Sequence, residues 1–302
     1  MVDFLKYRPL YAFFSFVIFS AFIGGCIYKY QTRGEAFEYS VDFTGGTQVL
    51  FEFSQPITSA QVVEVLEKAG WKGAITRDFS PNELLVRVKE FVNDAKGLGE
   101  RMRSSLEQAF PGVTVTIQQT DSVGSGVGAS LRWKSIQAIV VALIIMLLYT
   151  WWRFWSFSYG MGVLVSLFHD AIVILAFFLF LNYEISLNVI GAILTILGYS
   201  INDTIVIFAR IRDNVKKMKD RSIEDIVNIS INETLRRTLL TSFATSLVVL
   251  ALVLFGGEVL RTLALALLVG ILFGTYSSIA IASPVMLMFY KDAKSSKKAL
   301  SY

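Results

Sequence analysis

One aspartate inside an apolar segment is the residue best placed to do chemistry. Asp203 lies in residues 198–212, and leucine and isoleucine dominate the flanks of this segment. A carboxylate at membrane depth costs roughly 2.5 to 3.5 kcal/mol on insertion scales, so it faces a cavity or a partner rather than lipid. Tyr199 falls one helical turn before Asp203, and Asn202 directly precedes it. We therefore expect Asp203 to be a functional site.

The next apolar segment carries a stripe of hydroxyl residues at helical spacing. They fall at i, i+3, i+4 and i+7: Thr238, Thr241, Ser242 and Thr245. Arg237, Thr241 and Thr245 also share one i, i+4, i+8 line, which predicts a single helix face. We expect this polar seam to share an interior with Asp203, with Arg237 near the cytoplasmic end. The alternative is that the hydroxyls only hold helices together.

Two further features lie in apolar segments. The adjacent pair His169 and Asp170 is equally compatible with a second member of a proton relay and with a satisfied interior hydrogen-bonding pair. In the last apolar segment small residues recur at intervals of four, at Ala266, Gly270, Gly274, Ser278 and Ala282. Such a ribbon lets another helix approach closely, so Gly270 and Gly274 are predicted to be packing residues.

These residues belong to a membrane protein with six spans. The chain has 302 residues, 54% of them hydrophobic, and a mean hydropathy of +0.56, which is outside the range of soluble domains. The predicted spans are 10–28, 136–152, 158–181, 185–208, 239–255 and 262–290. The predicted parts are therefore an N-terminal tail and first span (1–30), an inserted domain (31–132), a bundle with a cytoplasmic loop at 209–237 (133–290), and a basic tail (291–302).

The charge distribution predicts the orientation. Residues 31–132 carry 10 lysines and arginines against 13 acidic residues, whereas the remainder carries 18 against 11. The basic excess flanks the spans at both termini and at 209–237, so the positive-inside rule places these segments in the cytoplasm and the inserted domain outside. The first span is expected to be an uncleaved anchor rather than a signal peptide. Membrane topology and anionic lipid explain the positive charge better than nucleic acid does.

The inserted domain has the pattern of a ferredoxin-like α+β fold. Strands are predicted at 46–53, 73–79, 83–89 and 113–119, with helices at 58–69 and 96–110, which gives the order βαββαβ. The domain has no histidine, no cysteine and no suitably paired carboxylates, so we predict no catalytic group, metal or cofactor. Glycines between 124 and 128 are expected to act as a flexible hinge.

With these elements in place, the chain resembles the SecD/SecF family of the bacterial Sec protein-export machinery, and in particular its smaller member. The resemblance rests on Val-Asp-Phe-Thr-Gly-Gly at 41–46, Gly-Tyr-Ser-Ile-Asn-Asp-Thr-Ile-Val at 198–206, and Arg-Thr-Leu-Leu-Thr-Ser at 237–242. It implies that Asp203 is the family's transmembrane aspartate and Arg237 its coupled arginine. It also identifies the family motif at the base of the periplasmic domain, namely Asp42, Phe43, Gly45 and Gly46. Departures from the family pattern fall at Ser40, Ser125, Ala209 and Asp213.

The resemblance implies an all-α six-helix bundle, half of an RND-type transporter, that carries a periplasmic ferredoxin-like domain in the bacterial cytoplasmic membrane. The implied function is proton-driven promotion of preprotein export, beside a larger SecD-like subunit, the Sec channel and membrane lipids. Two alternatives are half of an RND-like proton-driven exporter and a structural docking subunit. An aspartyl protease using Asp170 and Asp203 is disfavoured because Asn202, not glycine, precedes Asp203.

Overall fold

The computed structural model describes residues 2–290 except 72, 90, 92 and 93. The chain forms two compact units. The membrane unit comprises Met1–Glu38, Gln137–Tyr183 and Asn188–Tyr302, and the α/β unit comprises Tyr39–Ile136 and Glu184–Leu187. The inserted unit therefore starts later than the predicted boundary at residue 31 and includes a short segment from further along the chain. The predicted basic tail, 291–302, lies outside the described residues.

The elements follow one another in a simple order. In chain order they are a 3-10 turn (Leu5–Tyr7), α1 (Arg8–Arg33), α2 (Val41–Thr44), β1 (Gly46–Phe53), α3 (Ser59–Lys68), β2 (Ile75–Ser80), β3 (Glu83–Val88), α4 (Ala95–Ala109), β4 (Val115–Val123), α5 (Ser125–Phe154), α6 (Phe157–Leu181), α7 (Leu187–Lys217), α8 (Ile223–Phe255), α9 (Gly257–Ser277), a π turn (Ser278–Ala282) and α10 (Ser283–Phe289).

Six helical segments in the described part of the chain are long and apolar enough to cross a membrane, as predicted. They are α1, α5, α6, α7, α8 and a last span, Leu260–Phe289, made of α9, the π turn and α10. The most apolar stretches of α6, α7 and the last span are 67%, 56% and 50% buried within the chain, against 0%, 11% and 17% for α1, α5 and α8. α6, α7 and the last span therefore form the interior of the membrane unit. The other three helices, α1, α5 and α8, must contact lipid or another subunit.

The ribbon of small residues packs within the chain. A Cβ on Gly270 would lie 2.5 to 2.9 Å from side-chain atoms of Ile196, and one on Gly274 would lie 3.1 Å from the Ser200 Cβ. Both neighbours belong to α7, so the last span and α7 approach as closely as the glycines allow. The last two ribbon residues, Ser278 and Ala282, bound the π turn, which precedes Pro284; proline lacks the backbone N–H that a regular helix would use.

The predicted cytoplasmic loop at 209–237 is instead mostly helical. α7 continues to Lys217 and α8 begins at Ile223, so only five residues between them are not helical. Glu233 accepts hydrogen bonds from Arg210 Nε at 2.6 Å and from Asn214 Nδ2 at 2.7 Å. These bonds connect the C-terminal part of α7 with the N-terminal part of α8. The high polarity of this segment favoured a loop, but its apolar residues, such as Ile211 and Ile231, are buried at helical spacing.

The α/β unit contains the predicted ferredoxin-like fold. Its antiparallel sheet has the order β2-β3-β1-β4, with Val49 opposite Val86 on one side and Thr120 on the other. Alternate strand residues and the inner faces of α3 and α4 form one core: Val49, Phe51, Phe53, Val62, Leu66, Leu84, Val86, Val88, Leu98, Met102, Leu106 and Val115. Each fully buried large apolar side chain contributes about 1.5 to 3 kcal/mol, and these side chains fix the sheet register.

Two of the glycines predicted to form a flexible hinge lie in a helix. β4 ends at Val123 and α5 begins at Ser125, so Gly126 and Gly128 lie in the first helical turn. A Cβ on Gly128 would lie 3.0 Å from the Gly45 backbone nitrogen. Gly128 is required because two backbones approach closely there, and the role of the 124–128 glycines as a hinge stays a prediction.

Candidate functional site

Asp203 lies inside the membrane unit, on the face of α7 that meets α8. Only 4% of the residue is exposed. Its Oδ2 atom is 3.5 Å from the Ser242 hydroxyl of α8, which donates to it. The Thr275 hydroxyl of the last span in turn donates to Ser242 Oγ at 2.7 Å. A short polar chain therefore connects the carboxylate with two other helices.

The hydroxyl stripe of α8 divides between two faces. Thr238 and Ser242 are buried, whereas Thr241 is exposed and bonds to backbone carbonyls of its own helix, at Arg237 and Thr238. Thr245 accepts a hydrogen bond from the Tyr199 hydroxyl at 3.2 Å. The expectation that Thr241 faces the interior with Asp203 is therefore wrong. The buried hydroxyl residues of this stripe are Thr238 and Ser242, which are four positions apart and so share one helix face. Positions 241 and 242 are only about 100° apart.

Arg237 and Asn202 are both exposed. Among the described residues no ion pair joins Arg237 to Asp203. Arg237 precedes Ser242 by five residues, a rise of about 7.5 Å along α8. Among the residues that the structure describes, buried Asp203 accepts one weak hydrogen bond, from the Ser242 hydroxyl, and Arg237 is beyond contact distance. A carboxylate held this loosely can exchange its proton without breaking a tight ion pair.

His169 and Asp170 form a second polar cluster in α6, with 1% and 0% of each residue exposed. Asp170 Oδ2 accepts hydrogen bonds from Ser200 of α7 at 2.6 Å and from Ser277 of α9 at 2.9 Å. Ser166 donates to Ser277 at 3.1 Å. The Nδ1 atom of His169 lies 3.5 Å from Asp170 Oδ1. The pair therefore lies where α6, α7 and α9 meet.

The motif at 41–46 forms a hydrogen bond with the first residue of α7. Asp42 Oδ2 accepts hydrogen bonds from the Leu187 backbone nitrogen at 2.9 Å and from the Ser40 hydroxyl at 3.0 Å. Because Leu187 is the first residue of α7, Asp42 satisfies one of the N-terminal N–H groups of this helix. Phe43 is 6% exposed and packs edge-on against Tyr39.

The two glycines of the motif are required by backbone geometry. Gly45 and Gly46 have φ angles of 76° and 112°, which L side chains rarely adopt. A Cβ on Gly45 would lie 2.6 Å from the Ser125 Cα, and one on Gly46 would lie 2.5 Å from the Val88 carbonyl oxygen. The motif therefore allows β1, β3 and the start of α5 to meet closely.

The same segment carries an ion-pair cluster that the sequence did not reveal. Glu184 lies 2.6 Å from Arg87 Nη2 and 3.3 Å from Arg77 Nη1. Arg87 also donates to the Tyr39 carbonyl at 3.0 Å, and Ser40 N donates to the Ile185 carbonyl at 3.0 Å. Residues 184–187 are therefore part of the α/β unit.

Three polar residues of the membrane clusters were missed: Thr275, Ser277 and Ser166. Each was visible as a hydroxyl in an apolar span, and Ser166 stands at i−4 from Asp170. Within the described part of the chain, no group of three histidine, cysteine or acidic side chains is arranged to hold a metal ion.

A bundle of six spans with two buried carboxylates defines a multi-pass membrane protein of the kind in which intramembrane ionisable residues mark proton or substrate pathways. Comparison with known families agrees. Residues 102–292 match the family described as protein export membrane protein SecD/SecF, C-terminal, and residues 37–57 match the SecD/SecF GG motif.

Similar proteins cover nearly all of the chain. It is 38% identical over 267 residues to the protein translocase subunit SecF of Thermodesulfovibrio yellowstonii, with 87% of each chain covered. It is 36% identical over 302 residues to the protein translocase subunit SecF of Rickettsia rickettsii, with 99% of this chain and 94% of the relative covered. The chain belongs to the SecD/SecF family, as the three sequence motifs predicted.

Solved structures give the same result. The crystal structure of SecDF from Thermus thermophilus matches with a TM-score of 0.83 and 33% identity, covering 95% of this chain but 38% of that chain. The structure of SecDF in its super-membrane-facing form matches with a TM-score of 0.67 and 32% identity, covering 99% and 39%. This chain therefore spans about two fifths of the SecDF chains that it matches.

Proposed function

We propose that this chain is an accessory subunit of a Sec protein translocase that uses the proton motive force to promote late preprotein export. The observation that carries the proposal is the placement of Asp203, buried among three helices of the membrane unit with one weak hydroxyl contact. A carboxylate in this position is costly for stability, which favours a functional role. No catalytic role is assigned to any residue, because the proposed activity is transport.

The proposed mechanism starts with protonation of Asp203 from the outer side of the membrane. The ionised carboxylate accepts the Ser242 hydroxyl, whereas the neutral acid has a proton of its own to donate. This changes the contact between α7 and α8 and, through Thr275, the last span. Moving one charge through 100 mV is worth about 2.3 kcal/mol, which shifts a two-state equilibrium roughly fiftyfold.

Arg237 has a supporting role in this proposal. It lies on the uncovered side of α8, beyond contact with Asp203. A fixed positive charge at that place favours the ionised carboxylate and repels a second cation, so it promotes release of the proton toward the cytoplasm. The exposed surface of α8 is suited to contact with a partner subunit, which would bury Arg237.

We propose a larger SecD-like subunit as that partner. The matched SecDF chains are more than twice as long as the part that this chain covers, which leaves room for a second six-helix half. The Sec channel, the emerging preprotein and membrane lipids are the further proposed partners. The proposed location is the bacterial cytoplasmic membrane, with both termini in the cytoplasm and the α/β unit in the periplasm, because the basic residues flank the spans on one side.

Export of a secreted reporter, in cells depleted of the native protein, tests the proposal. Asp203→Asn retains size and polarity but cannot titrate, so export that depends on the proton motive force should be lost. Asp213→Asn is the matched control, since Asp213 is an exposed aspartate on the same helix. Arg237→Ala should also impair export, whereas Arg236→Ala, a change at the adjacent exposed arginine, should not.

Membrane levels of every variant are measured by blotting, so that loss of the protein is distinguished from loss of function. Near-normal export by Asp203→Asn at normal abundance would contradict proton coupling. In that case the chain would act as a structural docking subunit.

A further inference from the structure

The His169 and Asp170 pair lacks the hydrogen bonds of a cluster built for stability. Both residues are almost completely buried. Neither ring nitrogen of His169, nor Oδ1 of Asp170, has a hydrogen-bond partner within the described residues. Buried polar atoms are normally satisfied, and each unsatisfied group costs about 1 to 3 kcal/mol. Three such atoms on two adjacent residues indicate a site retained for function.

Within the described part of the chain, the surroundings of the pair are aromatic rings and hydroxyl groups rather than lysines or arginines that could pair with an ionised carboxylate. His169 faces the aromatic rings of Phe19 in α1 and Tyr276 in α9, with centroids 5.8 and 6.1 Å away. The α7 side supplies the Ser200 hydroxyl, with Asp203 three residues further along. Tyr11 of α1 packs against Tyr276 and is a further titratable neighbour. Among the described residues no lysine or arginine forms an ion pair with Asp170.

We propose that His169 and Asp170 form a second proton-binding site of the membrane unit, sharing one proton between Asp170 Oδ1 and His169 Nδ1. With the proton on Asp170 the pair is a carboxylic acid and a neutral imidazole. With the proton on His169 it is a carboxylate and an imidazolium. Both states have zero net charge, so the proton moves within the pair without leaving an uncompensated charge in the bundle. The two atoms between which the proton moves are 3.5 Å apart.

The hydroxyls that bind Asp170 link this site to Asp203. Ser200 and Ser277 donate to Asp170 Oδ2, and hydrogen bonds to an ionised acceptor are about twice as strong as neutral ones. Ser200 and Asp203 are three residues apart on α7, and Thr275, which reaches Asp203 through Ser242, is two residues from Ser277. The position of the shared proton therefore changes the strength of the hydrogen bonds that join α6 to α7, which carries Asp203, and to α9, which reaches Asp203 through Ser242 of α8. This role rests on the proposed proton coupling at Asp203.

Infrared difference spectroscopy tests the site directly. The full chain, purified with its larger partner and placed in lipid nanodiscs, is taken through a pH titration in ¹H₂O and ²H₂O. In the Asp203→Asn variant we expect one band of a protonated, buried carboxylic acid that titrates and shifts in ²H₂O. The double variant Asp203→Asn/Asp170→Asn should lack this band, whereas Asp203→Asn/Asp213→Asn should retain it.

Two further variants keep the proposal testable even if Asp170→Asn does not fold. Replacing His169→Gln in the Asp203→Asn background should move the titration midpoint of the band by about one pH unit or more, since the second proton acceptor is lost. Ser277→Ala should shift the carbonyl frequency, because one hydrogen bond to the carboxyl is removed. A structural hydrogen-bonding role predicts neither the titration nor the response to His169→Gln.

Identical spectra of Asp203→Asn and its Asp170→Asn double variant at every pH would overturn the proposal. An unchanged midpoint in the His169→Gln variant would overturn the sharing of the proton. These results are independent of the export test, because normal export by Asp203→Asn would contradict the proposed function while leaving the Asp170 band in place.

Discussion

The close approach of the last span to α7 predicts a specific cost for adding one methyl group at Gly270. In Gly270→Ala the new Cβ lies 2.5, 2.7 and 2.9 Å from three side-chain atoms of Ile196, which is 1% exposed. Overpacking of this kind costs about 1 to 3 kcal/mol, while the gain in helix propensity over glycine is at most about 1 kcal/mol. With the full gain in propensity subtracted, we therefore expect a net destabilisation of up to about 2 kcal/mol.

Gly198→Ala is the matched control, since Gly198 is exposed on α7 with no neighbouring atom within 4 Å of the added Cβ. It should be neutral or stabilise by up to about 1 kcal/mol. The assay is equilibrium unfolding in mixed micelles, which compares the free energy of unfolding of each variant with that of the unchanged chain.

A double-mutant cycle gives the sharper test. Ile196→Ala removes all three crowded atoms and alone should cost about 2 to 5 kcal/mol. Combined with Gly270→Ala, the total cost should be smaller than the sum of the two single changes by about 1 to 3 kcal/mol, because the new methyl group occupies part of the cavity. Additive effects, or equal effects of Gly270→Ala and Gly198→Ala, would refute the reasoning that the ribbon is an internal contact.

Three further predictions concern the motif, the connector and the topology. Asp42→Ala should lower the stability at the start of α7 by about 0.5 to 2 kcal/mol and speed exchange of the Leu187 amide hydrogen, whereas Asp42→Asn should retain most protection because its amide oxygen still accepts. Equal exchange in both variants would contradict the capping role. Glu184→Gln should lower the unfolding free energy of the α/β unit by about 1 to 3 kcal/mol, measured by denaturant unfolding, and Glu67→Gln at an exposed position should leave it unchanged. In a Cys26→Ser background, an impermeant thiol reagent applied to intact cells should label Asn82→Cys but not Lys219→Cys, and the reverse pattern would contradict the proposed orientation.

Much of the fold could be predicted from the sequence because its signals are local. Six apolar runs and alternating strand residues such as Val49, Phe51 and Phe53 determine the spans and the core face of the sheet. The polar 209–237 segment could not be assigned correctly in the same way. Its buried face is narrow, and the pairing of Arg210 with Glu233 joins residues 23 positions apart. Ion pairs across such distances leave no periodic signal.

The candidate site shows the same limit at the level of single side chains. Asp203 stands out because it is a carboxylate in an apolar run. The choice between Thr241 and Ser242 depends on a rotation of about 100° that only tertiary packing fixes. Thr275 and Ser277 were missed because isolated hydroxyls are tolerated in membrane helices and bond to their own backbone. Glu184 was missed because a single charged residue in a short connector resembles an ordinary surface position.

Proton flux through the reconstituted complex tests the central claim most directly. Proteoliposomes that contain this chain and its larger partner are loaded with a pH-sensitive dye, and acidification of the lumen is followed after a proton gradient and membrane potential are imposed. We predict proton entry with the unchanged complex and with Asp213→Asn, and loss of proton entry with Asp203→Asn at equal protein content. Equal flux in the Asp203→Asn and Asp213→Asn vesicles, or no flux with the unchanged complex, would contradict this prediction.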